Sequence, residues 1–270
     1  MVRSMLRRKM LDALRSWRAE KGAECLLIKG ARQVGKSYIV AEFGRQDYES
    51  FIFIDFIGSP DLKRVFDGPI DADSIYRQIS LVVPGVRFVP GRTLLFLDEI
   101  QECPRARAAL KYLALDGRCD VVASGSLLGI RFKEEAALAS IPVGYEREVE
   151  MGPLDFEEYL WARGYGEDDI ANLREYYESL MPVPVAVNQK MMQMLREYLA
   201  VGGMPAVVDA FARTDNFAVA FDEQSRLLAS YLDDVARYAQ APERGRARAC
   251  FESLPRQLAK ENTKFQYSVV

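Results

Sequence analysis

The chain has 270 residues, 49% of them hydrophobic and 28% charged, with a net charge of −3. These values describe a globular chain with room for one substantial domain and a smaller second unit, and an overall field too weak to draw it to nucleic acid. Histidine is absent, which excludes His-based triads, His general bases and His-containing metal sites, and no run of about 18 uncharged apolar residues is available to span a membrane.

Residues 1–21 read as a helix with Leu6, Met10, Leu14 and Trp17 along one apolar stripe. The segment carries seven Lys/Arg against two acids. Contact with nucleic acid or a membrane surface is one reading of that surplus. A helix docked on the following domain is the better one, because the stripe has the spacing of tertiary packing. Arg3, Arg7, Arg8 and Lys9 are not followed by an apolar core of signal-peptide length, so a cytoplasmic protein is expected. Cys25, Cys103, Cys119 and Cys250 lack C-x-x-C spacing and are expected as buried, reduced thiols.

The apolar run Cys25-Leu26-Leu27-Ile28 reads as a strand, and Gly30-Ala31-Arg32-Gln33-Val34-Gly35-Lys36-Ser37 after it fits G-x-x-x-x-G-K-[ST]. A triphosphate needs backbone N–H groups turned inward around it, which requires glycine where a Cβ would block the turn or the close approach. Lys36 would add a positive charge near the β- and γ-phosphates. The Ser37 hydroxyl would bind Mg2+ at the start of a helix whose dipole also favours anions. Residues 38–43 continue as that helix, giving the strand–loop–helix setting the motif requires.

Phe51-Ile52-Phe53-Ile54-Asp55 reads as a second buried strand and residues 73–83 as a helix opened by an Asp or Ser cap. Residues 84–91 are turn-rich. In Thr93-Leu94-Leu95-Phe96-Leu97-Asp98-Glu99, an apolar run ends in two carboxylates, the pattern of a buried parallel strand delivering both acids to its C-terminal edge. Asp98 would hold Mg2+ opposite Ser37, and Glu99 would orient and deprotonate the attacking water. Residues 104–115 form a helix with Pro suited to its first turn.

A third strand, Asp120-Val121-Val122-Ala123, runs into Ser124-Gly125-Ser126. Ser124 or Ser126 could touch the γ-phosphate or the lytic water, with Ser124 taken as the catalytic candidate; a turn that only closes the strand is the alternative. Alternating strands and helices predict a parallel three-layer α/β sheet with its site at the strands' carboxyl ends. Beyond about Met151 the pattern changes to helical stretches at 155–163, 168–180, 188–201, 222–238 and 244–260. The expected division is an N-terminal helix (1–21), a P-loop core (22–151) and a smaller, mainly helical region (152–270).

The phosphate loop, Asp98-Glu99-Ile100-Gln101, Ser124-Gly125-Ser126, Pro153-Leu154-Asp155-Phe156-Glu157-Glu158-Tyr159-Leu160 and Gly202-Gly203-Met204-Pro205 together resemble a bacterial and archaeal family of AAA-type P-loop ATPases that carry an uncharacterised C-terminal domain. Arg32-Gln33 inside the loop and Ile100-Gln101 after the acidic pair are its narrower signatures. The resemblance implies an ATP-binding core carried on Lys36, Ser37, Asp98 and Glu99. Two departures stand out. Many relatives have Arg where Gly144 is here followed by Tyr145, which leaves Arg131 and Arg147 as weak arginine-finger candidates beside the ordinary reading of a surface salt bridge. Residues 256–267 look like the middle of the family's C-terminal region, so a truncated C-terminal part is expected.

Three functions compete at this point. The leading one is Mg2+-dependent ATP hydrolysis coupled to a conformational change in the helical region. A P-loop kinase would need an acceptor pocket and an Arg-rich lid, and has little use for Glu99 beside the metal-binding acid. A nucleotide-gated module for a protein or DNA partner, with slow turnover, is the third. An unidentified protein is the expected partner, self-association is open, and DNA has weak support: residues 241–264 hold six Lys/Arg against three Glu, next to Phe265 and Tyr267.

Overall fold

The computed structural model describes residues 6–20, 22–126, 144–238 and 242–260. Five parallel strands form one sheet: β1 (Cys25–Gly30), β2 (Ser50–Asp55), β3 (Thr93–Asp98), β4 (Asp120–Ser126) and β5 (Glu146–Glu150), in the order β2-β3-β4-β1-β5. Because successive side chains on a strand face opposite ways, each central strand feeds two cores. Leu26, Ile28, Leu94, Phe96 and Val122 point into one, which α1 (Lys9–Glu20) and α2 (Lys36–Asp47) close with Leu14, Trp17, Ile39 and Phe43. Cys25, Leu27, Leu95, Leu97, Val121 and Ala123 point into the other, closed by α3 (Ala72–Val82) and α4 (Pro104–Asp116). The result is the three-layer arrangement expected of strand–helix alternation.

The ends of these elements follow local chemistry. Asp71 caps α3 by accepting the Ser74 N–H at 2.9 Å, and Gly117, in the left-handed region at φ 67°, ends α4. The N-terminal helix is shorter than its apolar stripe suggests and begins at Lys9. Its first free N–H is satisfied by the Glu158 carboxylate at 2.8 Å, while Arg8 lies outside the helix with its side chain turned inward. Leu11 joins Leu14 and Trp17 in the buried face, with Met10 packed at its margin.

Strand β5 was not legible in its sequence, Glu146-Arg147-Glu148-Val149-Glu150. It is an edge strand whose register is held by β1 and by charges, with Arg107 2.9 Å from Glu146 and Lys29 paired to Glu148. All four cysteines are free thiols, three of them buried, and burial holds the Cys119 thiol up at about 11.

Contacts divide the chain into two compact units, Met1–Tyr198 with Gly202–Pro205, and Leu199–Val201 with Ala206–Val270. The first unit includes α5 (Phe156–Ala162), α6 (Glu167–Glu178) and most of α7 (Val185–Val201), packed around Leu160, Ile170 and Met194. Asp155 and Glu158 form a reciprocal capping box at the start of α5. The second unit contains α8 (Pro205–Thr214), α9 (Phe217–Tyr238) and α10 (Arg244–Leu258). Val207, Val208, Phe211, Ala220 and Leu227 are buried there, and the Gln224 amide donates to the Ala200 and Val201 carbonyls at 2.9 and 2.8 Å. No helix among the described residues is long and apolar enough to cross a membrane.

Candidate functional site

The phosphate loop joins the end of β1 to the start of α2. Gly30, its first residue, cannot be replaced by any larger one without a clash, because an added Cβ would lie 2.2 Å from the Met151 carbonyl oxygen. Gly35 takes φ 96°, a conformation that L side chains rarely adopt, and supplies the N-cap of α2. Gln33 is also left-handed, at φ 64°. Ala31 is exposed, Arg32 and Ser37 are half-buried, and Val34 is fully buried under the loop. Lys36 is buried and its Nζ donates to two carbonyls of its own loop, Gly30 at 3.0 Å and Ala31 at 2.8 Å.

The sheet order brings the acidic pair to the same edge. Leu97 is level with Ala123, and Ile28 with Ser124, so Asp98 and Ser124 stand side by side on β3 and β4, next to the strand that ends in the loop. Asp98 is buried and accepts the hydroxyl proton of the fully buried Ser124 and, at 3.2 Å, the Glu99 N–H. That contact turns the Ser124 hydroxyl onto the carboxylate. Ser126 is also buried, level with Gly30 on the neighbouring strand.

Glu99 is half-buried and departs from the strand into the left-handed region at φ 55° and ψ 48°, which costs a residue with a Cβ on the order of 1–3 kcal/mol. Its carboxylate accepts the Gln101 side-chain amide. Burial pushes the Glu99 carboxyl above the usual range, with the Gln101 amide and the Lys36 charge pulling against that and Asp98 adding to it. Burial likewise pushes the Lys36 ammonium down, against the upward pull of Glu99 and Asp98. The lysine and both acids therefore share one poorly solvated neighbourhood. Arg32 adds positive charge felt by both Lys36 and Glu99.

The donor set fits a phosphate-bound magnesium ion. Asp98 and Ser37 offer hard oxygen atoms, and such an ion completes its shell with phosphate oxygens and water. Among the described residues no cluster of three or more His, Cys, Asp or Glu is arranged to hold a metal.

Several supporting residues escaped the sequence reading. In the sequence Gln101 is only part of a signature, and in the structure its side-chain amide donates to the Glu99 carboxylate. Arg8 and Glu158 meet 3.1 Å apart beneath the loop, although in the sequence Arg8 is only one of a run of basic residues. Of the arginine-finger candidates, Arg147 pairs with Glu20 and Glu24, and Arg131 lies outside the described residues. The basic stretch near the C-terminus is described to Lys260, with Arg248 2.8 Å from Glu252; Lys264, Phe265 and Tyr267 lie outside.

The family profile described as an AAA domain matches residues 23–160, and one described as a domain of unknown function (DUF8612) matches residues 192–270. No curated protein matches the chain in sequence. Among solved structures, the chain is similar to the ADP form of the Aeropyrum pernix ORC2 protein, with 15% identity, a TM-score of 0.46, and coverage of 100% of this chain and 85% of that one. The ADPNP–ADP complexes of the same protein align at 17% identity and a TM-score of 0.38, over 58% of this chain and 50% of that one, so here the chain spans half of its relative's length. AMPPCP-bound DnaA from Aquifex aeolicus aligns at 13% identity and a TM-score of 0.42, over 97% and 85%. These likenesses are too distant to carry ligands or partners across. The family match runs from just before β1 into α5, over half of the sequence, and on that ground the chain belongs to the AAA domain family of P-loop ATPases, followed by a DUF8612 domain.

Proposed function

We propose that the chain binds ATP with Mg2+ at the phosphate loop and hydrolyses it, and that turnover works on the conformation of the helical region. The observation that supports this best is the gathering of buried Lys36 and Asp98 with half-buried Glu99 at one sheet edge, where their charges act on one another. In this reading the loop N–H groups from Gly30 to Lys36 bind the phosphates, and Lys36 leaves the Gly30 and Ala31 carbonyls for phosphate oxygens. Ser37 and Asp98 hold Mg2+, which when bound neutralises charge on the phosphates. Glu99, steadied by Gln101, takes a proton from water, and Ser124 keeps Asp98 oriented.

A second reading, a nucleotide-gated module with slow turnover, is favoured by Arg147, whose ion pairs occupy a residue otherwise available to complete a site in trans. A cytoplasmic setting, a protein partner and a DNA partner belong to the same proposal. The test is phosphate release from ATP by the purified full chain across a range of protein concentrations, with Mg2+ or chelator and with or without duplex DNA. Mg2+-dependent release is expected. Tight ATP binding without release would leave only the gated module, and absence of binding would sink both readings.

The same assay has an expected pH dependence. A base must be ionised to act, so the rate should fall as pH drops through the Glu99 pKa, which burial places above the ordinary glutamate range. Gln101→Ala removes the bond that holds this pKa down, and the acid limb of the rate profile should move further up. An unchanged limb would mean that Glu99 is not the group being titrated.

A further inference from the structure

Arg8 is 7% exposed, an unusual burial for an arginine, and all its partners belong to other segments. Nη1 donates to the Val34 carbonyl at 2.8 Å and Nη2 to the Gly152 carbonyl at 2.7 Å, while Nε lies 3.1 Å from Glu158 Oε1. Glu158 is itself 5% exposed and also receives the Lys9 and Asp155 N–H groups at 2.8 and 3.1 Å. A buried ion pair contributes little net stability compared with apolar residues of similar volume, so stability alone is a weak reason for this one.

The Val34 contact suggests a better reason. A peptide unit is planar and trans, so its C=O and N–H point in opposite directions. A guanidinium that pins the Val34 carbonyl from behind therefore aims the Gly35 N–H away from itself. Gly35, at φ 96°, has no Cβ to fix this peptide sterically, and the Arg8 Nη1 and Met151 Cε lie 3.9 and 3.8 Å from where that Cβ would be. The other end of the loop is set from the same side, by the Met151 carbonyl against Gly30.

We propose that Arg8, anchored by Glu158 and Gly152, is a positioning residue that orients the Val34–Gly35 peptide so that its N–H faces a bound phosphate. This rests on the nucleotide-binding reading above. It gives the Arg8–Glu158 pair a task in ligand recognition although neither side chain touches the ligand. A lysine could keep the charge but not the planar fork that reaches two carbonyls and a carboxylate at once.

The test uses the full chain with ADP as the probe. Calorimetry gives affinity, the 31P resonance of the bound β-phosphate reports the donors around it, and thermal melting reports stability separately. Arg8→Lys, which leaves Glu158 a partner, should bind ADP about tenfold more weakly and shift the β-phosphate resonance. Arg8→Met combined with Glu158→Gln removes both buried charges and should bind more weakly still. In the parent chain, the Arg8 guanidinium 15N resonances should shift when ADP is added. Parent-like affinity and an unmoved β-phosphate resonance in either folded variant would overturn the proposal, as would a guanidinium signal indifferent to ADP. A parent chain that fails to bind ADP would instead sink the nucleotide-binding reading itself.

Discussion

Lys36→Ala is expected to lower ATP affinity by about a hundredfold or more, in line with the several kcal/mol lost when one partner of a buried, hydrogen-bonded charge pair is truncated. Two effects add. The polyphosphate loses its nearest fixed cation, and Asp98 and Glu99 lose the charge that now offsets them at the same buried edge. The fold should survive, since alanine suits the first turn of α2 and the bonds lost are to the loop's own Gly30 and Ala31 carbonyls. Calorimetric titration with ATP and Mg2+, paired with a melting curve, checks both halves. Affinity within tenfold of the parent would show that nucleotide binds elsewhere.

Glu99→Gln is expected to separate binding from turnover. The substitution keeps volume, and a glutamine carbonyl can still accept the Gln101 amide, so the loop around residue 99 should hold its left-handed turn. Removing a negative charge beside Asp98 can only help a polyphosphate bind. What disappears is the proposed base, a group worth about 10²- to 10⁴-fold in rate. ATP affinity should therefore equal or exceed that of the parent while phosphate release in a single-turnover experiment falls by that factor. Turnover at the parent rate would remove Glu99 from the mechanism.

The parts of the fold read most readily from sequence were the continuous apolar runs. Uniformly apolar runs such as Leu94-Leu95-Phe96-Leu97 can only be buried on both faces, and they became the central strands. Strand β5 is charged at four of its five positions and is recruited by β1 pairing and by Arg107 and Lys29, partners that no local window contains. The helix at Pro205–Thr214 falls in none of the helical stretches expected from sequence, where Gly202-Gly203-Met204-Pro205 serves only as part of a family resemblance, although Pro suits a helix start. At the site, motif spacing named residues but not their companions. Nothing between positions 8 and 158 announces that they meet, since the contact depends on Met151 and Gly152 returning beneath the loop.

The close fit of Gly30 against the Met151 carbonyl changes how mutational surveys of this loop should be interpreted. Loss of activity at that glycine would ordinarily be credited to a missing ligand contact. Here the backbone of a segment more than a hundred positions downstream forbids any side chain, so intolerance at residue 30 measures a tertiary seam and says little about chemistry.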